Sequence, residues 1–537
     1  MSSAPLIVPQ SAEPWWKGAV IYQIYPRSFA DANGDGVGDL PGITSRLQHV
    51  ADLGVDAIWI SPFFTSPMRD FGYDIADFCG VDPVFGTLAD FDALVARTHS
   101  LGLKVMIDQV YSHSSDQHPW FAESRSSRNN PCADWYVWAD PKADGSPPSN
   151  WQSVFGGPAW QWDARRGQYY LHNFLVEQPD LNLHNPEVQE AILGVARFWL
   201  NRGVDGFRLD ALNFAMHDPE LRDNPPLPPS NRPRSRPFDF QDKIHNQSHP
   251  DIPAFIERLA AEMRSHGAVF SMAEVGGDHW AREMALYTQG PDRLDSAYGF
   301  NFLYAERLTP GLVADALSVW PEGAGQGWPS WAFENHDAPR AISRWVAPEH
   351  AASFARLKML LLLSLRGNAI LYQGEELGLT QVDIPFERLV DPEAIANWPM
   401  TLSRDGVRTP MPWVGDAADR AFGSVEPWLP HGPDHGALAV DVQTGNPESL
   451  LNWTRSLIAL RRAEPSLARG ALTIRRAEGD VLIFERRAED AAPLICAFNL
   501  GLTDVSIDLP PHHHLAATGK VERDRLGPYA ALVARIV

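Results

Sequence analysis

The chain has 537 residues, which is enough for one large domain and one or two smaller ones. Its formal net charge of −22 at pH 7 argues against nucleic acids and anionic membrane surfaces as partners. Three scattered cysteines, Cys79, Cys132 and Cys496, show no CxxC spacing, so neither a disulfide framework nor a thiolate metal site is predicted.

The N-terminus has no basic segment followed by a long apolar run, so no signal peptide is predicted and a cytoplasmic location is expected. The most apolar run, residues 359–363, is too short to span a membrane and is predicted to be part of a buried helix. Glycine-rich phosphate loops are absent from the sequence, and no organic cofactor is predicted.

Short apolar runs alternate with helix-like segments in the first part of the chain. Residues 20–25, Ala57–Ile60 and residues 104–107 are predicted to be strands, and residues 43–53 and Leu88–Ser100 have helical spacing. This alternation predicts a parallel sheet, and a chain of this length favours closure into an α/β (β/α)8 TIM barrel.

The loop after the first predicted strand has the sequence Asp31-Ala-Asn33-Gly-Asp35-Gly-Val37-Gly-Asp39. Oxygen-bearing side chains at alternate positions, with the Val37 carbonyl, suit a hard cation such as Ca²⁺ or Mg²⁺. The Glu that closes an EF-hand is missing, so a single structural cation site is predicted. The alternative is a loop whose Asx-turns satisfy its own backbone.

Two irregular stretches interrupt the barrel pattern. Residues 112–182, rich in Trp, Pro, Asn, Asp and Gly, are predicted to be a subdomain inserted after the third strand. Residues 214–250 form a Pro-rich loop extension, which is either a flexible surface loop or a lid that limits the size of the substrate. The barrel is therefore assigned to residues 1–111 and 183–464, including this extension.

After Pro465 the pattern changes to short strands with alternating apolar residues. The runs ALTIRRA, DVLIFERR, PLICAFNL and VSIDL predict a small antiparallel β domain over residues 465–537. Residues 512–514, three consecutive histidines, are predicted to be a polar loop.

Four apolar runs end in a carboxylate, at Asp108, Asp210, Glu274 and Asp337. In a (β/α)8 barrel, chemistry takes place at the C-terminal ends of the strands. Arg208 and Asp210 are two residues apart, so both side chains point into the barrel, where the guanidinium would keep a nucleophilic carboxylate ionised. The alternative is a buried structural ion pair. The apolar residues before Glu274 favour a protonated carboxyl, as a general acid requires.

Histidines stand close to two of these acids, at His113 and His336. By contrast, His245 and His249 are four residues apart but lack the HExxH pattern, so zinc is not predicted there.

Taken together, these motifs resemble the α-amylase family, glycoside hydrolase family 13, over nearly the whole chain. Its four conserved regions are similar to Asp108-Gln-Val-Tyr-Ser-His113, Gly206-Phe-Arg208-Leu-Asp210, Glu274-Val-Gly276 and Asn335-His336-Asp337. Four further motifs resemble the α-glucosidase and oligo-1,6-glucosidase subgroup: Tyr73-Asp74, Gln178-Pro-Asp-Leu-Asn182, Tyr372-Gln-Gly-Glu-Glu376 and Ser403-Arg404-Asp-Gly-Val-Arg408. Within this subgroup the chain is most similar to the bacterial α-glucosyl-transferring enzymes.

The resemblance implies a role for each matched residue. Asp210 would be the nucleophile, Glu274 the acid/base and Asp337 the acid that holds and distorts the sugar, in a double displacement that retains configuration. The residues expected to bind the transferred glucosyl unit are Tyr73, Asp74, His113, Phe155, Phe174, Arg208, His336 and either Arg404 or Arg408.

Two departures from the family pattern refine the expectation. Ser112 stands where many members have an Asn calcium ligand, so the cation is expected in the loop 31–39 instead. Ala211 follows the nucleophile, where α-1,6-cleaving relatives typically carry Val. The resemblance therefore implies an exo-acting α-glucosidase on short α-1,4-glucosides such as maltose, with transfer to alcohol or sugar acceptors.

Other activities remain open. A sucrose-, isomaltose- or trehalose-directed enzyme of the same family is one alternative. A non-catalytic binding barrel is another, although such proteins lack the acid triad that this chain keeps. The protein is expected to be a monomer or a homodimer.

Overall fold

The computed structural model describes residues 13–229, 234–267, 269–277, 279–320, 322–323, 325–400 and 403–537. Residues 1–12, which include most of the segment behind the signal-peptide prediction, and residues 230–233 of the loop extension lie outside the described residues. In the described part of the chain, no helix is long and apolar enough to cross a membrane.

Eight parallel strands close into a barrel in which each strand pairs with its neighbours in sequence. The strands are β1 (Val20–Ile24), β2 (Ala57–Ile60), β3 (Lys104–Val110), β4 (Gly206–Asp210), β5 (Phe270–Val275), β6 (Ser296–Gly299), β7 (Trp328–Ala332) and β8 (Asn368–Tyr372). The barrel closes where β8 pairs with β1, in a register that sets Val20 against Ala369. The predicted (β/α)8 barrel is confirmed.

Helices surround the barrel. The longer ones are α1 (Leu40–Leu53), α2 (Leu88–Ser100), α3 (Pro186–Leu200), α4 (Ile252–Ser265), α5 (Trp280–Thr288), α6 (Pro310–Ser318), α7 (Ala351–Ser364) and α8 (Leu450–Ala463). Shorter helices span Pro119–Ser124, Ala341–Trp345, Pro392–Asn397, Val440–Thr444 and Pro465–Ala468. Helix α1 begins three residues before its apolar pattern, because Asp39 caps it by accepting the amide of Gly42.

The strands separate an apolar exterior from a partly polar interior, as β4 illustrates. Phe207 and Leu209 pack outward into the core shared with the helices, whereas Arg208 and Asp210 face inward. Apolar side chains that include Ile21, Trp59, Met106, Phe270 and Met272 fill the lower interior. Trp16 closes this end by stacking on Phe270 at 5.3 Å. The inward-facing carboxyl groups Asp108, Asp210 and Glu274 lie toward the opposite, C-terminal end.

The two irregular stretches lie together over that end of the barrel. Within 112–182, Trp138–Ala139, Trp160–Asp163 and Gln168–Leu171 form a small antiparallel sheet. The side chain of Asn150 bonds to both backbone polar groups of Asn224 in the loop extension, at 2.8 and 2.9 Å. The insertion and the extension thus form one rim around the barrel mouth.

The C-terminal sheet has five antiparallel strands in the order β9-β10-β11-β13-β12. They are β9 (Ala471–Glu478), β10 (Val481–Arg487), β11 (Leu494–Asn499), β12 (His512–Thr518) and β13 (Ala531–Ile536). A second small sheet joins Val505–Ser506, Val521–Glu522 and Arg525–Leu526. The predicted polar loop at 512–514 was wrong: these histidines begin an edge strand paired only with β13, which requires no apolar alternation.

Candidate active site

A cavity of about 610 Å³ opens at the C-terminal end of the barrel. Asp210 at the end of β4, Glu274 in β5 and Asp337 after β7 all line it. The insertion contributes Phe155 and Phe174 to the wall. The described part of the loop extension also lines the cavity, which supports the lid alternative for that stretch, through Ser235, Arg236, Phe238, Asp239, Lys243 and Gln247.

Arg208 lies fully buried beneath the cavity and contacts three carboxylates. Its Nη1 donates to Asp108 Oδ1 at 2.6 Å and to Asp210 Oδ1 at 2.5 Å, and its Nη2 contacts Glu274. The hydroxyl of Tyr298 accepts from the guanidinium and donates to Glu274 Oε1 at 3.0 Å. One buried cation therefore faces three acids, two of which line the floor of the cavity.

This imbalance of charge affects the pKa values of Glu274 and Asp210, the two acids expected to react. Burial, reinforced by the charges of Asp210 and Asp337 and opposed by Arg208, raises the pKa of Glu274 to about 7. Burial also raises the pKa of Asp210 to about 7, although Arg208 opposes it. Arg208 alone therefore does not decide the ionisation of Asp210. The negative charge of Asp210 is one cause of the raised pKa of Glu274, so a proton on Glu274 relieves repulsion between the two carboxyls and favours a charged Asp210.

Asp337 has the opposite environment. Burial disfavours its ionisation, but His336, Arg408 and Arg404 together hold the pKa of this carboxyl well below its usual range. Its Oδ1 accepts from Arg408 Nη2 at 2.7 Å and from Arg404 Nη1 at 3.3 Å. Asp337 is thus a permanent anion beside two carboxyls that titrate near neutrality.

A chain of hydrogen bonds fixes the ring of His336. The side-chain amide of Gln23 donates to Nδ1 at 2.8 Å, so the proton of the neutral ring is on Nε2. That nitrogen lies 2.6 Å from the Tyr73 hydroxyl and 3.1 Å from Asp337 Oδ2. Burial lowers the pKa of His336 to about 3, so the ring is a neutral donor.

The structure distinguishes the two arginines between which the sequence left a choice. Arg404 lines the cavity, where Nη2 bonds to Asp70 Oδ1 at 3.0 Å. Arg408 is only 1% exposed and donates from Nε to the carbonyl of His336 at 2.7 Å. Arg404 can therefore reach a bound molecule, whereas Arg408 supports Asp337 from behind.

The prediction that Asp74 binds substrate needs correction. Asp74 is fully buried, and its carboxylate accepts hydrogen bonds from the Ser66 hydroxyl and from the amides of Arg69 and Asp70. Its oxygens face its own loop because that loop turns back on itself. Asp70, four residues earlier, lines the cavity and pairs with Arg404.

Tyr73, His113, Phe155 and Phe174 do line the cavity. The Nε2 of His113 lies 3.1 Å from the carbonyl of Tyr73, and Nδ1 lies 2.9 Å from the Ser112 hydroxyl. Burial lowers the pKa of His113 to about 4, so this ring is also neutral. Ser112 therefore orients the histidine here.

Several cavity residues were missed by sequence reasoning. Besides Asp70, they include Asn213, Phe214, Arg236, Phe300, Tyr304 and Glu393. Asp70 could have been suspected from its position three residues before Tyr73. The others lie in loops or in helices of no more than six residues, which show no periodic pattern in the sequence, so only the folded chain brings them to the site.

The loop 31–39 shows the hydrogen bonds of the Asx-turn alternative. Both oxygens of Asp31 accept backbone amides, from Gly34 and Gly36, and the oxygens of Asp39 accept three amides. The side chain of Asn33 accepts a hydrogen bond from the backbone amide of Asp35, and the carboxylate of Asp35 accepts one from the backbone amide of Val37. Within the described chain, the acids of this loop do not gather three ligand atoms within 4.8 Å. In this conformation backbone amides occupy the carboxylates of Asp31, Asp35 and Asp39, and a bound cation would compete with these donors.

Comparisons with known proteins agree with this geometry. Residues 23–470 match the family model of the α-amylase catalytic domain. The chain is 53% identical to a probable α-glucosidase of Rhizobium meliloti (strain 1021), over 92% of this chain and 91% of that protein. It is 36% identical to an oligo-1,6-glucosidase of Heyndrickxia coagulans, over 95% of this chain and 96% of that protein. The crystal structure of the α-glucosyl transfer enzyme XgtA superposes with a TM-score of 0.93 at 48% identity, covering 97% of this chain and 99% of that one.

Proposed function

The chain belongs to the α-amylase family as a glycosidase, and we propose that it is a retaining, exo-acting α-glucosidase on short α-1,4-glucosides such as maltose. We propose in addition that it transfers the glucosyl group to acceptor alcohols and sugars. One observation carries the proposal: two carboxyls with raised pKa values and one permanent carboxylate line a single cavity at the barrel mouth.

In the proposed first step, Glu274 gives its proton to the leaving oxygen while Asp210 attacks the anomeric carbon. Protonated Glu274 can act as the acid because burial and the neighbouring anions favour its neutral form. The carboxylate of Asp210, which accepts a hydrogen bond from Arg208, is the nucleophile. This step forms a glucosyl–enzyme ester and releases the rest of the donor.

In the second step, Glu274 removes a proton from water or from an acceptor hydroxyl, which attacks the same carbon and releases Asp210. Two inversions retain the α configuration. Asp337 would stabilise the positive charge that develops on the sugar ring, because its neighbours keep it ionised.

The cavity walls support a site for one terminal glucosyl unit and an acceptor. We propose that the Asp70–Arg404 pair binds hydroxyls of the terminal unit. Aromatic rings of Phe214, Phe300 and Tyr304 offer flat apolar faces for an acceptor and would disfavour water. Ala211, which lines the cavity and donates its amide to Glu274 Oε2 at 3.2 Å, leaves room that Val would fill. This supports α-1,4 donors.

The test is a parallel incubation with maltose, isomaltose, sucrose and trehalose, each with and without an aromatic alcohol. We expect glucose from maltose fastest, and an α-glucoside of the alcohol when it is present. The Asp210→Asn variant should lose nearly all activity while keeping its circular dichroism spectrum. Preference for another donor would support the corresponding alternative enzyme, and activity that survives in Asp210→Asn would refute the mechanism.

A structural Ca²⁺ or Mg²⁺ in the loop 31–39 is part of the proposal, supported by the alternating oxygen donors rather than by their present conformation. After dialysis against a chelator, added Ca²⁺ should raise the melting temperature, and Asp35→Ala should abolish the rise. An unchanged melting temperature would reject this cation. The monomeric or dimeric state and the cytoplasmic location stay predictions.

A further inference from the structure

A second group of reactive side chains lies where the loop extension rejoins the barrel helices. His184 precedes α3, His249 ends the extension, and Asp251 precedes α4. Each offers a ring nitrogen or carboxylate oxygen, and these ligand atoms all lie within 4.8 Å of one another. None of the three lines the catalytic cavity.

The ring of His184 is already oriented as a ligand would be. Its Nε2 lies 2.7 Å from the carbonyl oxygen of His217. Because a carbonyl can only accept, Nε2 carries the proton, and Nδ1 of the neutral ring keeps its lone pair. Histidines that bind metals in proteins commonly donate the other ring nitrogen to a carbonyl or carboxylate in this way.

Three imidazole rings pack together at this site. The ring of His184 meets those of His249 and His217 edge to face, with centroids 4.9 and 5.1 Å apart. The only carboxylate in the ligand group is Asp251, which is largely exposed.

We propose that His184, His249 and Asp251 form a binding site for a divalent transition metal such as Zn²⁺, with water completing the coordination. Two imidazoles and one carboxylate suit Zn²⁺, Co²⁺ or Ni²⁺, whereas Ca²⁺ and Mg²⁺ prefer oxygen ligands alone. A bound metal would join the end of the loop extension to the segment that leads into α3.

From the sequence spacing, only the pair His245 and His249 was considered, and zinc was not predicted there. His245 stands four residues before His249, but in the structure its Nδ1 is 3.2 Å from Asp218 Oδ2. The partner of His249 is His184, 65 positions earlier, and no local pattern predicts that pairing.

The test is to titrate the chelator-treated full-length enzyme with ZnCl₂, with binding measured by calorimetry and stability by the melting temperature. We expect the wild type to bind Zn²⁺, and we expect the affinity to fall at least tenfold in each of the variants His249→Ala, His184→Gln and Asp251→Asn. The Gln side chain keeps a donor for the His217 carbonyl, and Asp251 is exposed enough for its replacement to leave the fold intact. A hundredfold excess of CaCl₂ should leave Zn²⁺ affinity unchanged.

The matched control is His514→Ala, because His512 and His514 stack at 5.3 Å on the edge strand β12 and could collect zinc adventitiously. This variant should keep the site. The proposal is overturned if the wild type binds no Zn²⁺, if His514→Ala removes the binding, or if His249→Ala and Asp251→Asn bind Zn²⁺ as the wild type does. Each measurement is independent of glycosidase activity.

Discussion

At the scale of single residues, Arg208 contacts the carboxyl groups of Asp108, Asp210 and Glu274, and its single positive charge cannot neutralise all three. The charge of Asp108 raises the pKa of Asp210, and the same carboxylate competes with Asp210 for Arg208 Nη1. In the proposed mechanism Asp210 must be ionised to attack, so its ionisation should set the acid limb of the pH profile of kcat/KM. The protonation of Glu274 should set the alkaline limb.

Replacing Asp108 with Asn should therefore move the acid limb to lower pH. Removing this negative charge lowers the pKa of Asp210, and a shift of roughly one unit corresponds to about 1.4 kcal/mol. The measurement is kcat/KM between pH 4 and 9, with Asp92→Asn as the control because that carboxylate is exposed and pairs with Arg202. An acid limb that stays in place or moves to higher pH would contradict this account.

Asp70 and Asp74 allow a second test at this scale. Asp70→Asn should lower kcat/KM roughly 10- to 100-fold at a nearly unchanged melting temperature, because a charge-assisted hydrogen bond contributes about 1.5–3 kcal/mol. Asp74→Asn should mainly lower the melting temperature, since the carboxylate accepts from three donors in its loop, whereas an amide keeps one oxygen and turns an NH2 group toward the remaining donor or donors. The reverse pattern would return substrate binding to Asp74.

The same pair shows where prediction from sequence ends. Strand-end acids such as Asp210 and Glu274 were predictable because the barrel dictates where a strand-end side chain points. Two carboxylates in one irregular loop have no such rule. Which one faces the cavity depends on hydrogen bonds that form only when the loop has closed on itself.

At the scale of elements, α7 combines the most apolar run of the chain with one buried cation. Lys358 is 1% exposed and bonds to Glu334 at 3.2 Å and to Glu375 at 2.8 Å. Arg340 also pairs with Glu334, at 2.9 Å. The helix is therefore attached to the barrel by charge as well as by apolar packing.

Lys358→Met should destabilise the protein by about 3–5 kcal/mol, because it leaves Glu375 buried without its cation. Urea unfolding measures the loss. The control is Lys17→Met, whose partially exposed pair with Glu13 contributes less than about 1 kcal/mol. Equal effects of the two substitutions would show that the buried network does not stabilise the fold.

Elements with a clear period were the predictable ones. Helix α2 has the predicted bounds Leu88–Ser100, and its start is fixed by the Thr87–Asp90 capping box. Strand β12 was missed because an edge strand without apolar alternation leaves no signal in the sequence. The predicted strand VSIDL contributes only Val505–Ser506, in the second small sheet.

At the scale of the whole molecule, two buried arginines join the C-terminal sheet and α8 to the barrel. Arg486 of β10 donates to the carbonyl of Ser364, the last residue of α7, at 2.5 Å. Arg461 of α8 donates to the carbonyl of Leu363 at 2.7 Å. Both cap the negative end of the α7 dipole. Burial lowers the pKa of Arg486 to about 9, so the cation remains charged at neutral pH.

Arg486→Met should cost about 2 kcal/mol, because it leaves carbonyl groups buried without donors. Arg487→Met is the matched control: the next residue on the same strand points to solvent, and its loss should cost less than about 0.5 kcal/mol. Both are compared by urea unfolding. If Arg487→Met lowered the free energy of unfolding as much as Arg486→Met does, the capping role of Arg486 would be refuted.

The overall architecture followed from the sequence because strand–helix alternation and barrel closure obey general rules. The rim did not, since its shape depends on contacts between the insertion and the loop extension, which are far apart in sequence. Asn150 and Asn224 make such a contact, with 74 positions between them.

That contact has a consequence for engineering the enzyme. The acids proposed to react are carried by barrel strands and the loops just beyond them. The rim, by contrast, is built from two segments that bond to each other, as Asn246 with Asn173 also shows at 2.8 Å. Both segments exchanged together, as a cassette, would carry their matched amide partners into a new background. Either segment grafted alone would bring unpaired amides to the mouth of the barrel.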